Sequence, residues 1–158
     1  MVEQIRQGDI PGVQLRYRLD ITATQSDVWL WLTEAENLGR WVADRAIPDS
    51  TRDDAITFET SDSAGNPVRE RVVTLEAREP DRLVLNLQQL DAAWPVPTRL
   101  TFELTGHQGG TEVSVLQEGF AHLPLSDCLT IWETYRRRWR TALQRLADAL
   151  QSDQGVDL

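Results

Sequence analysis

Along this chain the spacing of apolar residues shifts from alternation to a helical repeat and back, ending in one long helical stretch. Leu15, Tyr17, Leu19, Ile21 and Ala23 alternate with Arg16, Arg18, Asp20 and Thr22, which predicts a half-buried strand. Thr24 with Asp27 forms a capping-box pattern and opens a short helix through Val28, Trp29, Leu30, Trp31 and Leu32. Thr33 and Glu36 repeat the device, so a second short helix is expected, ending near Trp41. A meander follows. Strands are predicted over residues 56–60, 68–77, 82–90 and 99–105, separated by a turn at 63–67, by Pro80-Asp81 and by a loop over 91–97 that carries Trp94. Gly109-Gly110 makes a hairpin turn, and a last strand runs on to Phe120.

Residues 127–151 are the most informative segment. At 100° per residue, Cys128, Trp132, Tyr135, Trp139, Leu143, Leu146 and Leu150 share one stripe, opposite Glu133, Arg137, Arg140 and Gln144. This is an amphipathic helix of roughly 36 Å, capped by Ser126 or Asp127. Its first half presents flat rings and its second half leucines. Leucines interdigitate tightly, whereas large rigid rings facing a sheet leave a gap, so the helix reads as a lid over a cavity. The order of elements predicts an α+β helix-grip fold. In it a curved antiparallel sheet of about six strands wraps a long C-terminal helix, with two short helices after the first strand. The chain of 158 residues suits one domain, with a core over 13–151, a loose polar arm over 1–12 and a frayed tail from Ser152.

Composition narrows the classes of function. A 41% apolar and 26% charged chain is ordinary for a soluble globular protein, and no apolar run approaches the ~20 residues of a membrane span. A single cysteine excludes an internal disulfide framework and fits a reducing cytoplasm. The formal charge of −9 argues against nucleic acid as a partner. One Cys and two His cannot build the usual zinc shell, and the absence of lysine removes Schiff-base chemistry. No cofactor is implied.

Ala23-Thr24-Gln25-Ser26-Asp27-Val28-Trp29 followed by Asn37-Leu38-Gly39-Arg40-Trp41 resembles the opening signature of the START/Bet v-like (SRPBCC) superfamily. Gly110-Thr111-Glu112-Val113 through Glu118-Gly119-Phe120, with Arg138-Trp139 through Leu143 and Leu146 to Leu150, resembles its AHSA-type branch, named for activators of a heat-shock-protein ATPase. The marks run from about residue 15 to 150. There are departures: Val42 stands where a second aromatic often follows Trp41, and Arg138 where a glycine often precedes the helical tryptophan. The resemblance implies a cavity between sheet and helix that takes up apolar small molecules.

On that frame the candidate ligand-binding residues are Trp132, Tyr135 and Trp139 on the helix and Phe58, Leu87 and Phe102 on the facing sheet. Trp41 is a candidate that also wedges the second short helix against the sheet. Trp94 either gates the cavity mouth or covers a strand edge. Trp29 and Trp31 cannot both face inward on one short helix, so at least one is expected to be partly exposed. In the strand 68–77, turning Val73, Leu75 and Ala77 inward turns Arg69 and Arg71 inward too. Either a bulge near Val72-Val73 corrects the phase or Arg71 enters the cavity, where it would need a carboxylate or an acidic ligand. Gln89 raises the same question. His107, beside the Gly-Gly turn, reads as a solvated loop residue, Cys128 as a small core residue, and Arg136-Arg137-Arg138-Arg140 as a solvated helix face, with Glu133 pairing to Arg137.

Three functions remain. The first is a cytoplasmic module that binds a small apolar or aromatic molecule, where ~200 Å² of buried ligand surface yields about 5 kcal/mol before entropy losses. The second is an enzyme of the polyketide cyclase or aromatase kind, using Tyr135, Arg71 or His122 as proton donor or acceptor; two such groups within reach of one cavity space would mark it. The third, which the branch name invites, is a co-chaperone activating a heat-shock ATPase. An apolar face on the short helices could support a homodimer.

Overall fold

The computed structural model describes residues 6–155 apart from Ser63 and Leu125; the first residues of the polar arm and the end of the tail, 156–158, lie outside the described residues. Among the described residues eight strands form one antiparallel sheet: β1 (Arg6–Gln7), β2 (Gln14–Ile21), β3 (Arg45–Pro48), β4 (Ala55–Ser61), β5 (Pro67–Arg78), β6 (Arg82–Gln89), β7 (Thr98–His107) and β8 (Gly110–Glu118). Their order across the sheet is β1-β2-β8-β7-β6-β5-β4-β3, so the first long strand closes against the last one. Helices α1 (Gln25–Thr33) and α2 (Ala35–Leu38) follow β2, and α3 (Cys128–Gly155) is the last described element, its backbone staying helical beyond Ser152, where fraying is expected. The six predicted strands are all present. β1 and β3 were not foreseen, because two- and four-residue edge strands are too short to show a period.

The sheet's inner face is set by register. Leu15, Tyr17, Leu19 and Ile21 of β2 lie opposite Gln117, Val115, Val113 and Thr111 of β8, and all eight are buried. The same face continues through Leu100, Phe102 and Leu104 of β7 and Leu83, Leu85 and Leu87 of β6. Against it α3 lays Trp132, Tyr135, Trp139, Leu143, Leu146 and Leu150, each buried. Alternation in the strands and the 3.6-residue period in the helix thus meet in one core.

One turn explains how β8 fits against the end of β2. Gly110, at φ 155°, lies so close to the end of β2 that a Cβ there would stand 2.1 Å from the Ile21 carbonyl oxygen, so a side chain cannot be admitted. Beside it His107 is exposed, as expected, with Nδ1 3.0 Å from the Gln108 carbonyl and Nε2 3.1 Å from Asp20 Oδ1. The Gln108 carbonyl, then the Asp20 carboxylate, raise this imidazole above the ordinary 6.5. A raised folded-state value gives stabilisation that is complete below the unfolded value and is lost as pH rises through the folded one. Wild type should therefore lose a small increment of melting temperature as pH rises above the ordinary 6.5, a loss that His107→Gln lacks; parallel curves for both proteins would contradict this.

Two local expectations are corrected, and a third is met. Thr24 caps α1 as predicted, accepting from the Asp27 N–H at 3.1 Å. Thr33 does not cap α2: its hydroxyl donates back to the Trp29 carbonyl at 2.9 Å, and Glu34 takes the N-cap position without a side-chain bond. Trp29 and Trp31 are both buried, because α1 is covered on two flanks by α2, α3 and the sheet. Trp31 is further roofed by the Arg40 guanidinium, 4.6 Å from its ring centroid. The apolar face of α1 is thereby used inside the fold, and among its large apolar residues Leu30 alone is exposed.

Candidate functional site

The irregular strand β5 decides where the chemistry lies. Its register shifts between Thr74 and Glu76, a bulge at Leu75 that falls slightly beyond the expected position. Before the bulge, Glu70 and Val72 face inward and are buried, while Arg71 and Val73 face out. Arg71 is half exposed and lies 3.6 Å from Asp49, so the expectation of an arginine at the cavity is corrected. After the bulge Ala77 returns to the inner side. The inward charge on this strand is a carboxylate, not a guanidinium.

Glu70 is 1% exposed and sits between Phe58 of β4 and Gln89 of β6 in the cross-strand register. Two residues on one face of α3 reach it. The Tyr135 hydroxyl donates to Glu70 Oε2, and Arg138 Nη1 donates to the same oxygen. Arg138 also donates through Nη2 to the Val42 carbonyl at 2.9 Å, tying the segment after α2 to α3, and Gln89 Nε2 donates to the Tyr135 oxygen at 3.4 Å. Burial, reinforced by the Glu70 charge, pushes the Tyr135 phenol well above the ordinary tyrosine value, so it remains a donor. Burial alone would lower Arg138, but the Glu70 carboxylate, Tyr135 and Asp44 together outweigh it and hold the guanidinium charged. Reading Arg138 as part of a solvated face is thereby corrected. Arg137 does lie in solvent, 3.7 Å from Glu133.

Two cavities flank this cluster. The first, of about 450 Å³, opens between α1–α2 and strands β4 to β7. Its wall is made by Trp29, Leu32, Trp41, Phe58, Leu85 and Phe102, with the exposed Asp53, Asp54 and Glu79 at its mouth. The second, of about 570 Å³, lies between α3 and strands β4 to β6 and is lined by Glu70, Gln89, Tyr135 and Arg138 among hydroxyl-bearing neighbours. Trp41 and Val42 belong to both walls.

Of the residues singled out in the sequence, the structure brings Trp41, Phe58 and Phe102 together at the first cavity and places Tyr135 at the second. Leu87, Trp94, Trp132 and Trp139 line neither. Trp132 and Trp139 are anchored in the core: Trp132 Nε1 donates to the Gln14 carbonyl at 2.9 Å, and Trp139 Nε1 to Gln117 Oε1 at 2.8 Å. Trp94 is buried with its ring edge-on to Tyr135, 6.2 Å between centroids. The gap expected beneath the helix's rings is filled by the rings themselves, because Trp41, Phe102 and Trp139 stack edge-on and tilted within 6.1 to 6.3 Å of one another. The space has moved sideways, towards the short helices and towards β4–β5. Sequence reasoning missed Glu70 and the inward role of Arg138. The available signal was that Val68, Glu70, Val72 and Thr74 form one phase of the strand and that Arg138 lies three residues from Tyr135.

Among the described residues no helix is long and apolar enough to cross a membrane, and no group of three or more His, Cys, Asp or Glu could hold a metal ion. No curated protein matches the chain in sequence. Solved structures do match in shape. A protein from Rhodobacter sphaeroides is 18% identical with a TM-score of 0.74, covering 95% of this chain and 99% of that one. The Aha1 dimer from Colwellia psychrerythraea is 16% identical with a TM-score of 0.65, covering 87% and 96%. DynU16, a protein of the dynemicin biosynthetic locus, is 16% identical with a TM-score of 0.67, covering 89% of this chain and 48% of that one. At these identities the likeness establishes the helix-grip fold. The family model described as Activator of Hsp90 ATPase homolog 1-like protein matches residues 22–151, most of the chain. With that match the chain belongs to the Activator of Hsp90 ATPase homolog 1-like family, the AHSA-type branch of the START/Bet v-like superfamily.

Proposed function

We propose that the protein binds a small apolar or aromatic molecule in the cavity between α1–α2 and the sheet. The observation that carries this reading is an apolar hollow of about 450 Å³ walled by Trp29, Trp41, Phe58 and Phe102. Pockets of this size and lining bind small molecules by removing apolar surface from water, with a few polar groups at the mouth to orient them. Because Trp29 and Trp41 form part of the wall, binding has a built-in reporter. A panel of apolar probes, naphthalene and longer alkyl aromatics among them, should change tryptophan fluorescence and raise the melting temperature. Leu85→Trp, which fills the hollow from β6, should weaken binding roughly tenfold or more. A panel that leaves both signals unchanged, or binds Leu85→Trp equally well, sinks the reading.

An enzyme of the polyketide cyclase or aromatase kind is the second reading. One observation favours it: the Tyr135 hydroxyl stands within hydrogen-bond reach of both Glu70 and Gln89 at the wall of the second cavity. Tyr135 would serve as proton donor and Glu70 as acceptor. It ranks second because the inner wall of the apolar cavity carries no titratable group, its carboxylates standing only at the mouth.

A further inference from the structure

We infer that the second cavity is a separate binding site for a neutral, hydroxyl-bearing small molecule, whose O–H donates to Glu70 Oε1. The two oxygens of this carboxylate are treated differently by the fold. Oε2 takes both the Tyr135 hydroxyl and Arg138 Nη1, whereas Oε1 is buried and has no hydrogen-bond partner among the described residues. A buried charged acceptor without a donor is costly, and here it belongs to a side chain that lines a cavity of about 570 Å³. The chemistry of the wall selects the ligand. Arg138 already offsets the Glu70 charge, so an ammonium would leave an excess positive charge and an anion would meet the carboxylate. A neutral donor satisfies Oε1 without either cost.

The surroundings fit that choice. Gln89 and Tyr135 hold the inner wall, and Thr60, Ser61 and Thr141 bring hydroxyls around the opening. Charges at the mouth are of both signs, Asp44 and Asp62 against Arg137 and Arg145, so no net field recruits an ion. Small-molecule sites commonly carry a few such convergent polar groups on one wall. The inference does not depend on the apolar cavity, which Trp41 and Val42 separate from this one. The rival occupant is a single structural water bonded to Oε1.

The experiment compares 1-naphthol with 1-methoxynaphthalene on the full chain, following side-chain NMR signals of Gln89 and Arg138 by titration. The ether keeps the ring and removes the donor. Wild type should shift these signals with naphthol about tenfold more tightly than with the ether, the worth of a hydrogen bond to a charged acceptor. In Glu70→Gln the carbonyl is expected to face Arg138 and Tyr135, which turns an N–H₂ into the cavity and closes the gap between the two probes. Thr141→Trp, an exposed helix position at the opening, should block both probes here while leaving Leu85-side binding intact. If Glu70→Gln fails to fold, the alcohol–ether comparison in wild type and the Thr141→Trp variant decide alone. Equal affinity for alcohol and ether, or no shift of Gln89 and Arg138 at millimolar probe, leaves only a structural water and overturns the inference. Leu85→Trp distinguishes the sites, since it should weaken binding at the apolar cavity without moving the naphthol response at Gln89.

Discussion

Arg138→Met is expected to lower the unfolding free energy by about 3–5 kcal/mol, because it leaves the Glu70 carboxylate buried without its counter-ion. Methionine matches the length of the arginine stem, so packing is largely kept and the loss is electrostatic. The substitution also frees the Val42 carbonyl, which Arg138 Nη2 bonds at 2.9 Å, and so loosens the segment after α2. The double variant Glu70→Gln with Arg138→Met should regain most of that loss. A neutral amide can still accept from Tyr135, and no charge then remains to be compensated. Urea unfolding of the two single variants and the double one measures the coupling directly. Additive effects, or a single-variant loss under about 1 kcal/mol, would show that Glu70 is neutralised by other means. The pair is a poor source of net stability but a strong constraint on geometry. It fixes α3 against β5 at one rotation, and with it the orientation of Tyr135.

Much of this architecture was legible because single periods ran long enough to be read. The β2 alternation, the Thr24 cap, the Gly109-Gly110 hairpin and the α3 stripe each name one element, and the family signature fixes how they assemble. What could not be read came from positions where two periods compete. In β5 one phase offers Val68 and Val72 and the other Val73, Leu75 and Ala77, and only the bulge at Leu75, fixed by pairing with β6, decides that Glu70 faces in. On α3 Arg138 flanks the apolar stripe, where an arginine normally snorkels to water; its burial depends on a partner from β5 that no local pattern announces. The place of the cavity was misjudged for a related reason. Rings that look bulky in isolation pack edge to edge once Trp41 and Phe102 meet Trp139, and a single line of helix residues cannot reveal that complement.

Trp41→Ala should then be the most damaging apolar truncation, costing about 3–5 kcal/mol. Trp41 is 1% exposed, donates its indole N–H to the Trp31 carbonyl at 2.8 Å, and touches Phe102 and Trp139 with its ring. Alanine removes the ring contacts, orphans a buried carbonyl and deletes the wall that Trp41 contributes to both cavities. Trp41→Phe, which keeps a ring but not the donor, should cost markedly less. The alanine variant should also gain more from a bulky ligand than wild type does, since a merged hollow accepts it without strain. Its melting temperature should rise with naphthalene concentration as mass action requires, and further than the wild-type value rises. A variant as stable as wild type would mean that neighbouring side chains collapse into the space and that Trp41 is not a partition. A destabilised variant that naphthalene fails to rescue would instead keep the partition while arguing against the hollow as a ligand site.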